Sequence, residues 1–239
     1  MNIKLYLIVI LALCIQNIQA QEIDYETNEI SFEIPQIVNG VYQFSYERYI
    51  WNNFTANLGL GYKGKKGLVK LSGLDGDRIK TDEIFYTGFQ IIPEIRYYIK
   101  NTSRKPLSGF YLGAYLKYSK YKSDFDGNYI SQEDEQYDFK FDMSTSVTSL
   151  GLMIGYKLPI SKHFNLDFMI AGPGTGTYNF KFKNKKDLPD EFYDDLNTVL
   201  EDYTLLDLIN SDFKFSNVNR SSKFSALSFR YGIAIGYTF

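Results

Sequence analysis

The stretch Phe229–Phe239, FRYGIAIGYTF, alternates strictly between two kinds of side chain. Large apolar residues occupy every second position, from Phe229 through Tyr231 and Tyr237 to Phe239, and small or polar residues lie between them. A period of two residues is that of a β-strand whose two faces meet different surroundings. The stretch therefore predicts a β-strand with one apolar, aromatic face, and the sequence stops on it.

Composition sets the broad class of protein. The chain has 239 residues, of which 44% are hydrophobic, and a formal net charge of −2. These values fit one large domain or two small ones and exclude a disordered chain. The near-neutral charge does not suggest a nucleic-acid-binding protein. The 21 tyrosines and 19 phenylalanines favour strands, and tyrosine also suits interfaces because it joins an apolar ring to a polar hydroxyl.

The N-terminal segment has the features of a secretory signal peptide. Lys4 precedes an apolar run from Leu5 to Ile15, and a plausible cleavage motif ends at Ala20. We expect cleavage there, which leaves residues 21–239 as a mature domain without cysteine. A retained membrane anchor is the alternative, although the run is short for a helix that crosses a bilayer.

Alternation with period two recurs along the rest of the chain. The further segments are 30–34, 42–47, 54–63, 89–99, 110–118, 150–157 and 164–171. Together with the closing segment they predict eight strands. No window after the signal peptide is apolar enough to cross a bilayer as a helix.

The connections between the predicted strands differ in length. Tight turns are expected at 51–53 and 161–163, and a moderate one at 101–108. Long loops are expected at 64–83, 123–137 and 184–220. Asn39-Gly40, a strong hairpin signal, gives the one short link on the long-loop side. An even number of strands with this asymmetry is typical of outer-membrane barrels, so we expect both chain ends in the periplasm.

The last long loop carries a helical pattern. Its apolar residues, spaced for one helical face, are Phe192, Leu196, Val199, Tyr203 and Leu206, and the other face is acidic. Asp187 is the expected N-cap, and Pro189 fits the first turn. We expect a helical insertion at about residues 187–210 that either covers the strand ends or docks a partner.

Two eight-stranded folds fit the alternation: a secreted lipocalin-like carrier with its apolar face inward, and a transmembrane barrel with that face outward. The polar face is rich in glycine, which makes room inside a narrow lumen, and it carries charges of both signs. The charged residues are Glu47, Glu94, Arg96, Lys157, Asp167 and Arg230, and the glycines are Gly59, Gly61, Gly113, Gly151, Gly155, Gly232 and Gly236. These features predict an all-β, eight-stranded antiparallel transmembrane β-barrel with one helical insertion.

Five stretches give the chain a resemblance to a known class of protein. They are YERYI at 46–50, PEIRYYI at 93–99, GFYLGAYLKY at 109–118, LPDEFYDDL at 188–196 and the closing FRYGIAIGYTF. The chain resembles small Gram-negative outer-membrane barrels of OmpA/OmpX-like architecture, and more closely a family of such barrels with no assigned biochemical function. The resemblance implies a C-terminal sorting signal, read by the barrel-insertion machinery, in Tyr231, Tyr237 and Phe239. OmpA itself has a periplasmic peptidoglycan-binding domain, and we expect none in this chain.

Motifs for catalysis and metal binding are sparse. The one histidine, His163, lies in a predicted short turn, and GxSxG, HExxH and cysteine-cluster motifs are absent from the sequence. GPGTGT at 172–177 lies on a strand and predicts a bend or bulge. FDGN at 125–128 and GLDGDR at 73–78 lack the full spacing of a calcium loop. We therefore expect no catalytic residue, no metal and no cofactor.

The sequence thus predicts a monomeric, non-enzymatic outer-membrane protein that contacts outer-membrane lipid. Its long loops are expected to contact an extracellular partner of unknown identity. The inward charges are expected to form an ion network that fills the lumen, or alternatively a narrow proton or ion path. The sequence is also compatible with a membrane-embedded lipid-modifying enzyme and with the secreted carrier.

Overall fold

The computed structural model describes residues 26–65, 73–83, 85–100, 102, 106–184, 188–202, 216 and 221–239. Its strands are β1 (Asn28–Glu33), β2 (Val41–Trp51), β3 (Phe54–Lys63), β4 (Ile79–Thr81), β5 (Phe85–Tyr98), β6 (Gly109–Ile130), β7 (Gln136–Pro159), β8 (Phe164–Asn184) and β9 (Ser221–Thr238). A 3-10 turn, Pro35–Asn39, follows β1, and helix α1 spans Asp190–Asp202. The predicted signal peptide and the expected helical positions Asp187, Tyr203 and Leu206 lie outside the described residues.

Eight of these strands form a closed antiparallel ring. Its order is β1-β2-β3-β5-β6-β7-β8-β9, and β9 pairs back onto β1. At the closure, the Phe239 amide donates to the Asn28 carbonyl over 2.9 Å. Because every strand of the ring has a partner on both sides, the ring has no open edge. The predicted all-β ring of eight strands with one helical insertion is confirmed, and the short strand β4 was not predicted.

The two ends of the ring differ in their connections, as the sequence predicts. Short links join β2 to β3, β5 to β6 and β7 to β8 at the end where residues 28 and 239 lie, which we call the short-turn end. At the opposite end, which we call the long end, β6, β7 and β8 run to 22, 24 and 21 residues. These strands are about twice as long as the ten or so residues that cross a bilayer.

Residues 123–137, predicted to be a long loop, are instead the tip of a β-hairpin. β6 and β7 stay paired without interruption from Gly109–Lys157 to Ile130–Gln136. The prediction was wrong because Asp124, Asp126 and Asn128 make the segment look like a solvated loop. These polar residues alternate with residues on the inner face of the hairpin, so the period of a strand continues through them.

The wall of the ring places its large apolar side chains outside. Leu152 is 68% exposed and Ile95 is 61% exposed, whereas the inward Tyr111 and Lys157 are both fully buried. This is the reverse of a carrier with an apolar cavity, so the lipocalin-like alternative does not fit the structure. The inward glycines make room for the buried tyrosines: a Cβ at Gly155 would lie 2.2 Å from the Tyr111 hydroxyl.

Helix α1 packs beyond the ring, on the inner face of the β6–β7 hairpin. Phe192 is fully buried there, with its ring centroid 5.1 Å from those of Tyr129 and Phe139. The buried cluster comprises Leu74, Ile79, Tyr129, Phe139, Phe141, Leu188, Phe192, Tyr193 and Leu196. Tyr129 shares its face of β6 with Tyr111 and Tyr115 of the lumen, so the helix lies at the mouth of the ring.

The polar edge of α1 is also fixed to the rest of the long end. The Tyr129 hydroxyl donates to Asp195 over 3.0 Å, and Arg78 lies 3.6 Å from the same carboxylate. Burial and the neighbouring Asp195 carboxylate raise the pKa of the Tyr129 phenol well above its usual value, so it remains a hydrogen-bond donor at neutral pH. Within the described residues, no helix is long and apolar enough to span a membrane.

Candidate functional site

Most of the inward charges of the ring converge on one network near the short-turn end. Lys157 on β7 is fully buried, and its Nζ donates over 2.7 Å both to Glu29 Oε1 on β1 and to Glu47 Oε2 on β2. Asn165 donates to the other oxygen of Glu29 over 2.7 Å. A buried ammonium is stable only when carboxylates and hydrogen bonds replace its water, and here both are supplied.

Arg96 on β5 is the centre of the network. Its Nη1 donates to Glu47 Oε2 over 3.0 Å and to Asp167 Oδ2 over 2.6 Å. Its Nε and Nη2 donate to Glu94 Oε2 over 2.9 and 2.7 Å. The guanidinium also lies over the ring of Tyr111, 4.7 Å from the centroid. One planar fork thus joins carboxylates from β2, β5 and β8, a geometry that a lysine cannot reproduce.

Arg230 on β9 extends the network toward the long end. Its Nη2 donates to Glu94 Oε1 over 3.0 Å, and its guanidinium carbon lies 4.5 Å from the centre of the Tyr115 ring. The six charges singled out in the sequence therefore form one connected set. It runs Lys157, Glu47, Arg96, Glu94 and Arg230, with Asp167 attached to Arg96.

Uncharged side chains complete the hydrogen bonding of the buried carboxylates. Thr55 and Tyr98 donate to Glu47 Oε1 over 2.6 and 2.9 Å. Tyr111 donates to Asp167 Oδ1 over 2.8 Å, and Asn57 donates to Glu94 Oε2 over 2.8 Å. Desolvating a charge costs several kcal/mol, so this number of partners is what keeps the cluster stable inside the ring.

A layer of amides lies on the long-end side of the charges. Gln43 donates to Glu33 Oε2 over 2.5 Å, and Gln90 donates to Gln43 over 2.5 Å and to Gln36 over 2.9 Å. Gln36 belongs to the 3-10 turn that follows β1, so the turn reaches inward over the ring. The lumen is therefore filled with polar side chains beyond the charged cluster as well.

Several members of the network escaped the sequence analysis. Glu29 was missed because the first strand was predicted to begin at residue 30, although Glu29 and Glu33 lie on the same face of β1. Tyr98, Tyr111 and Tyr115 look like ordinary aromatics in the sequence. The signal that identifies them is position, because each lies on the glycine-bearing face of its strand and not on the apolar one.

The other motifs in the sequence have structural surroundings. His163 lies at the short-turn end, where its Nδ1 is 2.7 Å from Glu26 Oε1 and its ring stacks on Tyr237. Within the described part of the chain, no cluster of His, Cys, Asp and Glu could hold a metal ion. Two aspartates of the calcium-like turns are ion-paired, Asp75 with Lys80 at 3.6 Å and Asp126 with Lys140 at 3.1 Å.

The glycine-rich stretch 172–177 lies on β8, facing β7 and β9. The register of β8 against β9 shifts between Met169 and Gly172, which places a bulge where the stretch begins. A Cβ at Gly174 would lie 2.7 Å from the Tyr115 hydroxyl. The stretch therefore gives room for an inward tyrosine.

The residues of the expected sorting signal, Tyr231, Tyr237 and Phe239, all lie on the outer wall.

These features define a class of protein: a closed antiparallel ring of eight strands with an apolar outer wall and an ion-paired lumen. The chain belongs to the family described as "Protein of unknown function (DUF3575)", whose model matches residues 6–187. No curated protein matches the chain. Among solved structures, it is similar to a major outer membrane protein from Thermus thermophilus, with 11% identity and a TM-score of 0.39 over 90% of this chain and 98% of that one. A likeness of that degree carries no argument about function.

Proposed function

We propose that the protein is an integral outer-membrane β-barrel with a structural or surface-interaction role, and that it is not an enzyme. The observation that supports this most strongly is the inverted distribution of side chains, apolar outside and ion-paired inside. Hydrocarbon requires every backbone group to be paired, and the closed ring meets that requirement.

The outer wall has dimensions that suit a bilayer. Along β9 its apolar face runs from Leu227 to Phe239, which is about 40 Å of strand and about 30 Å of height at a tilt of about 40°. That height matches a bilayer's hydrocarbon core of about 30 Å. Outward aromatics lie near both edges of the wall, with Tyr237 and Phe239 at the short-turn end and Tyr62 near the long end.

The lumen is proposed to be a plug and not a conducting path. Each of the charges Lys157, Arg96 and Arg230 is engaged with at least one carboxylate within 3.0 Å. A path for ions requires groups that release their partners easily, whereas buried pairs with several hydrogen bonds resist separation. The carboxylates that pair with these cations therefore lack the free position that a general acid or base needs.

The surface-interaction role is proposed for the long end. The β6–β7 hairpin continues twelve residues past Tyr118, to Ile130 at the end of β6, which is about 40 Å of strand at about 3.3 Å per residue. α1 braces the inner face of this hairpin and begins with Asp190 and Glu191. A rigid extension of this length is suited to contacts outside the bilayer, and by the topology it lies on the side opposite residues 28 and 239.

Cell fractionation combined with heat-modifiable gel mobility tests the membrane assignment. We expect the protein in the outer-membrane fraction, and we expect the unheated form to migrate faster than the boiled form because a closed barrel resists the detergent. Recovery in the soluble fraction would overturn the proposal.

Protease treatment of intact cells tests the orientation. We expect cleavage within 185–220 in intact cells, and cleavage near residues 101–108 only after the outer membrane has been opened. The opposite pattern would place the long end in the periplasm and would contradict the surface role.

A further inference from the structure

The outer wall is interrupted by a groove of about 600 Å³ that crosses β2, β3, β5, β6 and β7. Small side chains, Ala56, Pro93 and Ala114, leave the space. The apolar residues that border it are Tyr46, Ile50, Leu58, Ile95, Leu116 and Leu150. The volume is within the range of about 300–1,000 Å³ that is usual for ligand sites.

The groove runs diagonally up the wall. Ala56 lies two residues after the start of β3 at the short-turn end, and it pairs with Ile95. Ile95 in turn pairs with Ala114, which lies five residues after the start of β6, so each step leads farther from that end. Four steps between neighbouring strands, at about 4.8 Å each, give a length of about 19 Å. One leaflet contributes about half of a 30 Å hydrocarbon core, so the groove can hold an acyl chain.

The low end of the groove carries a single cation on the outer wall. Arg48 lines the groove and pairs with Ala56, and it faces outward because it follows the inward Glu47. Within the described residues, the Arg48 side chain has no hydrogen bond or ion pair. An arginine on a lipid-facing wall is costly unless it reaches the polar interface, and its planar fork fits a phosphate group.

We propose that this groove is a binding site for a membrane phospholipid, with the phosphate on Arg48 and one acyl chain over Ala56 and Ala114. A cation at one end and an apolar length beyond it match an anionic amphiphile. A second copy of the barrel fits less well, because a symmetric contact would enclose Arg48 of each copy without a counter-charge. The inference rests on the proposed membrane function.

The chain contains its own reporter for this site. Trp51 is the single tryptophan, it is 61% exposed, and it follows Ile50 of the groove directly. We would titrate brominated phosphatidylglycerol into the barrel in dodecyl maltoside, whose headgroup is uncharged, and follow quenching of Trp51 fluorescence. Quenching should saturate near one lipid per barrel.

Variants assign the two parts of the site. Arg48→Gln should raise the lipid concentration for half-quenching about fivefold, which is the loss of one interfacial charge contact. It should not change quenching by brominated diacylglycerol, which has no phosphate. Ala56→Leu should weaken quenching by both probes because it fills the groove. The matched controls are Lys120→Gln, which removes another outward cation, and Thr148→Leu, which adds similar bulk elsewhere on the wall; both should behave as the unmodified protein.

Three outcomes would overturn the site. Quenching in proportion to added lipid, unchanged by Arg48→Gln and Ala56→Leu, would mean that the wall contacts lipid without a site. If the controls Lys120→Gln and Thr148→Leu weakened quenching as much as Arg48→Gln and Ala56→Leu do, the wall would again contact lipid without a site. A dimer in native mass spectrometry that is lost in Ala56→Leu would assign the groove to a second copy. In each case heat-modifiable mobility, measured on the same samples, reports separately whether the barrel itself has folded as proposed.

Discussion

Arg96 on β5 donates from Nη1 to Asp167 Oδ2 on β8 over 2.6 Å, although β5 and β8 are not neighbours in the ring. The bond therefore crosses the lumen and ties two sides of the wall together. The same guanidinium nitrogen reaches Glu47 on β2. The interior of this ring is thus held by ion pairs in addition to a buried apolar and aromatic cluster that includes Ile92, Tyr111 and Met153.

We predict that Arg96→Met strongly destabilises the folded barrel. The change leaves three buried carboxylates, Glu47, Glu94 and Asp167, short of a partner, and breaking a buried pair costs about 3–5 kcal/mol. Urea unfolding in lipid vesicles, followed by Trp51 fluorescence, measures the free energy of unfolding. The matched control is Lys140→Met, which breaks the exposed pair with Asp126 and should cost less than about 1 kcal/mol. Equal losses in the two variants would contradict the central role of Arg96.

We predict that the unmodified barrel does not conduct ions. The paired charges and the amide layer of Gln36, Gln43 and Gln90 fill the lumen from the short-turn end upward. Planar bilayers containing purified, heat-modifiable protein should show no steady single-channel steps. Steps of constant size that change in Arg96→Ala would show that the network is an ion path and would refute the plug.

We predict that Gly155 and Tyr111 are energetically coupled. A Cβ at position 155 would lie 2.2 Å from the Tyr111 hydroxyl and 2.7 Å from the Phe168 carbonyl oxygen, so Gly155→Ala should cost about 1–3 kcal/mol of unfolding free energy. Adding Tyr111→Leu removes part of the clash, so the double variant should lose less than the sum by about 0.5–3 kcal/mol. Gly64→Ala is the control, because its Cβ would meet no atom nearer than 3.8 Å. If the losses of unfolding free energy in the two single variants simply added in the double variant, the close packing of Tyr111 against Gly155 would be contradicted.

We predict that Phe192→Ala releases α1 without opening the ring. Truncating a fully buried phenylalanine costs about 3–5 kcal/mol of unfolding free energy. We expect this destabilisation to be confined to the buried cluster at the mouth of the ring, because Phe192 packs only there. Hydrogen exchange of residues 190–202 should rise, while heat-modifiable mobility should be retained. Thr198→Ala, on the exposed side of the same helix, should change neither measurement. Loss of the heat-modifiable form in Phe192→Ala would mean that the helix is needed for the ring itself.

Strict alternation was the part of the fold that could be predicted from the sequence. Segments such as FRYGIAIGYTF have two unlike faces, and the two environments of a closed ring reproduce that difference residue by residue. Alternation fails as a guide where both faces become polar. Asp124 and Asn128 continue the strands of the β6–β7 hairpin, and only the packing of α1 on the opposite face shows why that segment is ordered.

Six charged members of the lumen network were predictable from the sequence, whereas Glu29 and the connections between the charges were not. Glu47, Arg96 and Asp167 lie on the glycine-bearing face in the sequence, which is enough to place them inside. Which carboxylate meets which cation depends on the stagger of the strands around the ring, and the stagger is not encoded by alternation within one strand. The lipid groove was not predictable for the same reason, since Ala56 and Ala114 become neighbours only through the pairing of β3, β5 and β6.

The last prediction concerns assembly and separates it from stability. If the C-terminal strand carries a sorting signal, Phe239→Ala should reduce the amount of heat-modifiable protein in the outer membrane of growing cells several-fold. It should change the unfolding free energy of the protein that does insert by less than about 1 kcal/mol, because Phe239 is half exposed and closes the ring through its backbone. Phe229→Ala is the control, as an outward phenylalanine near the other end of the apolar face of β9. Equal reductions in the two variants would show that general apolarity, and not the terminal position, governs insertion.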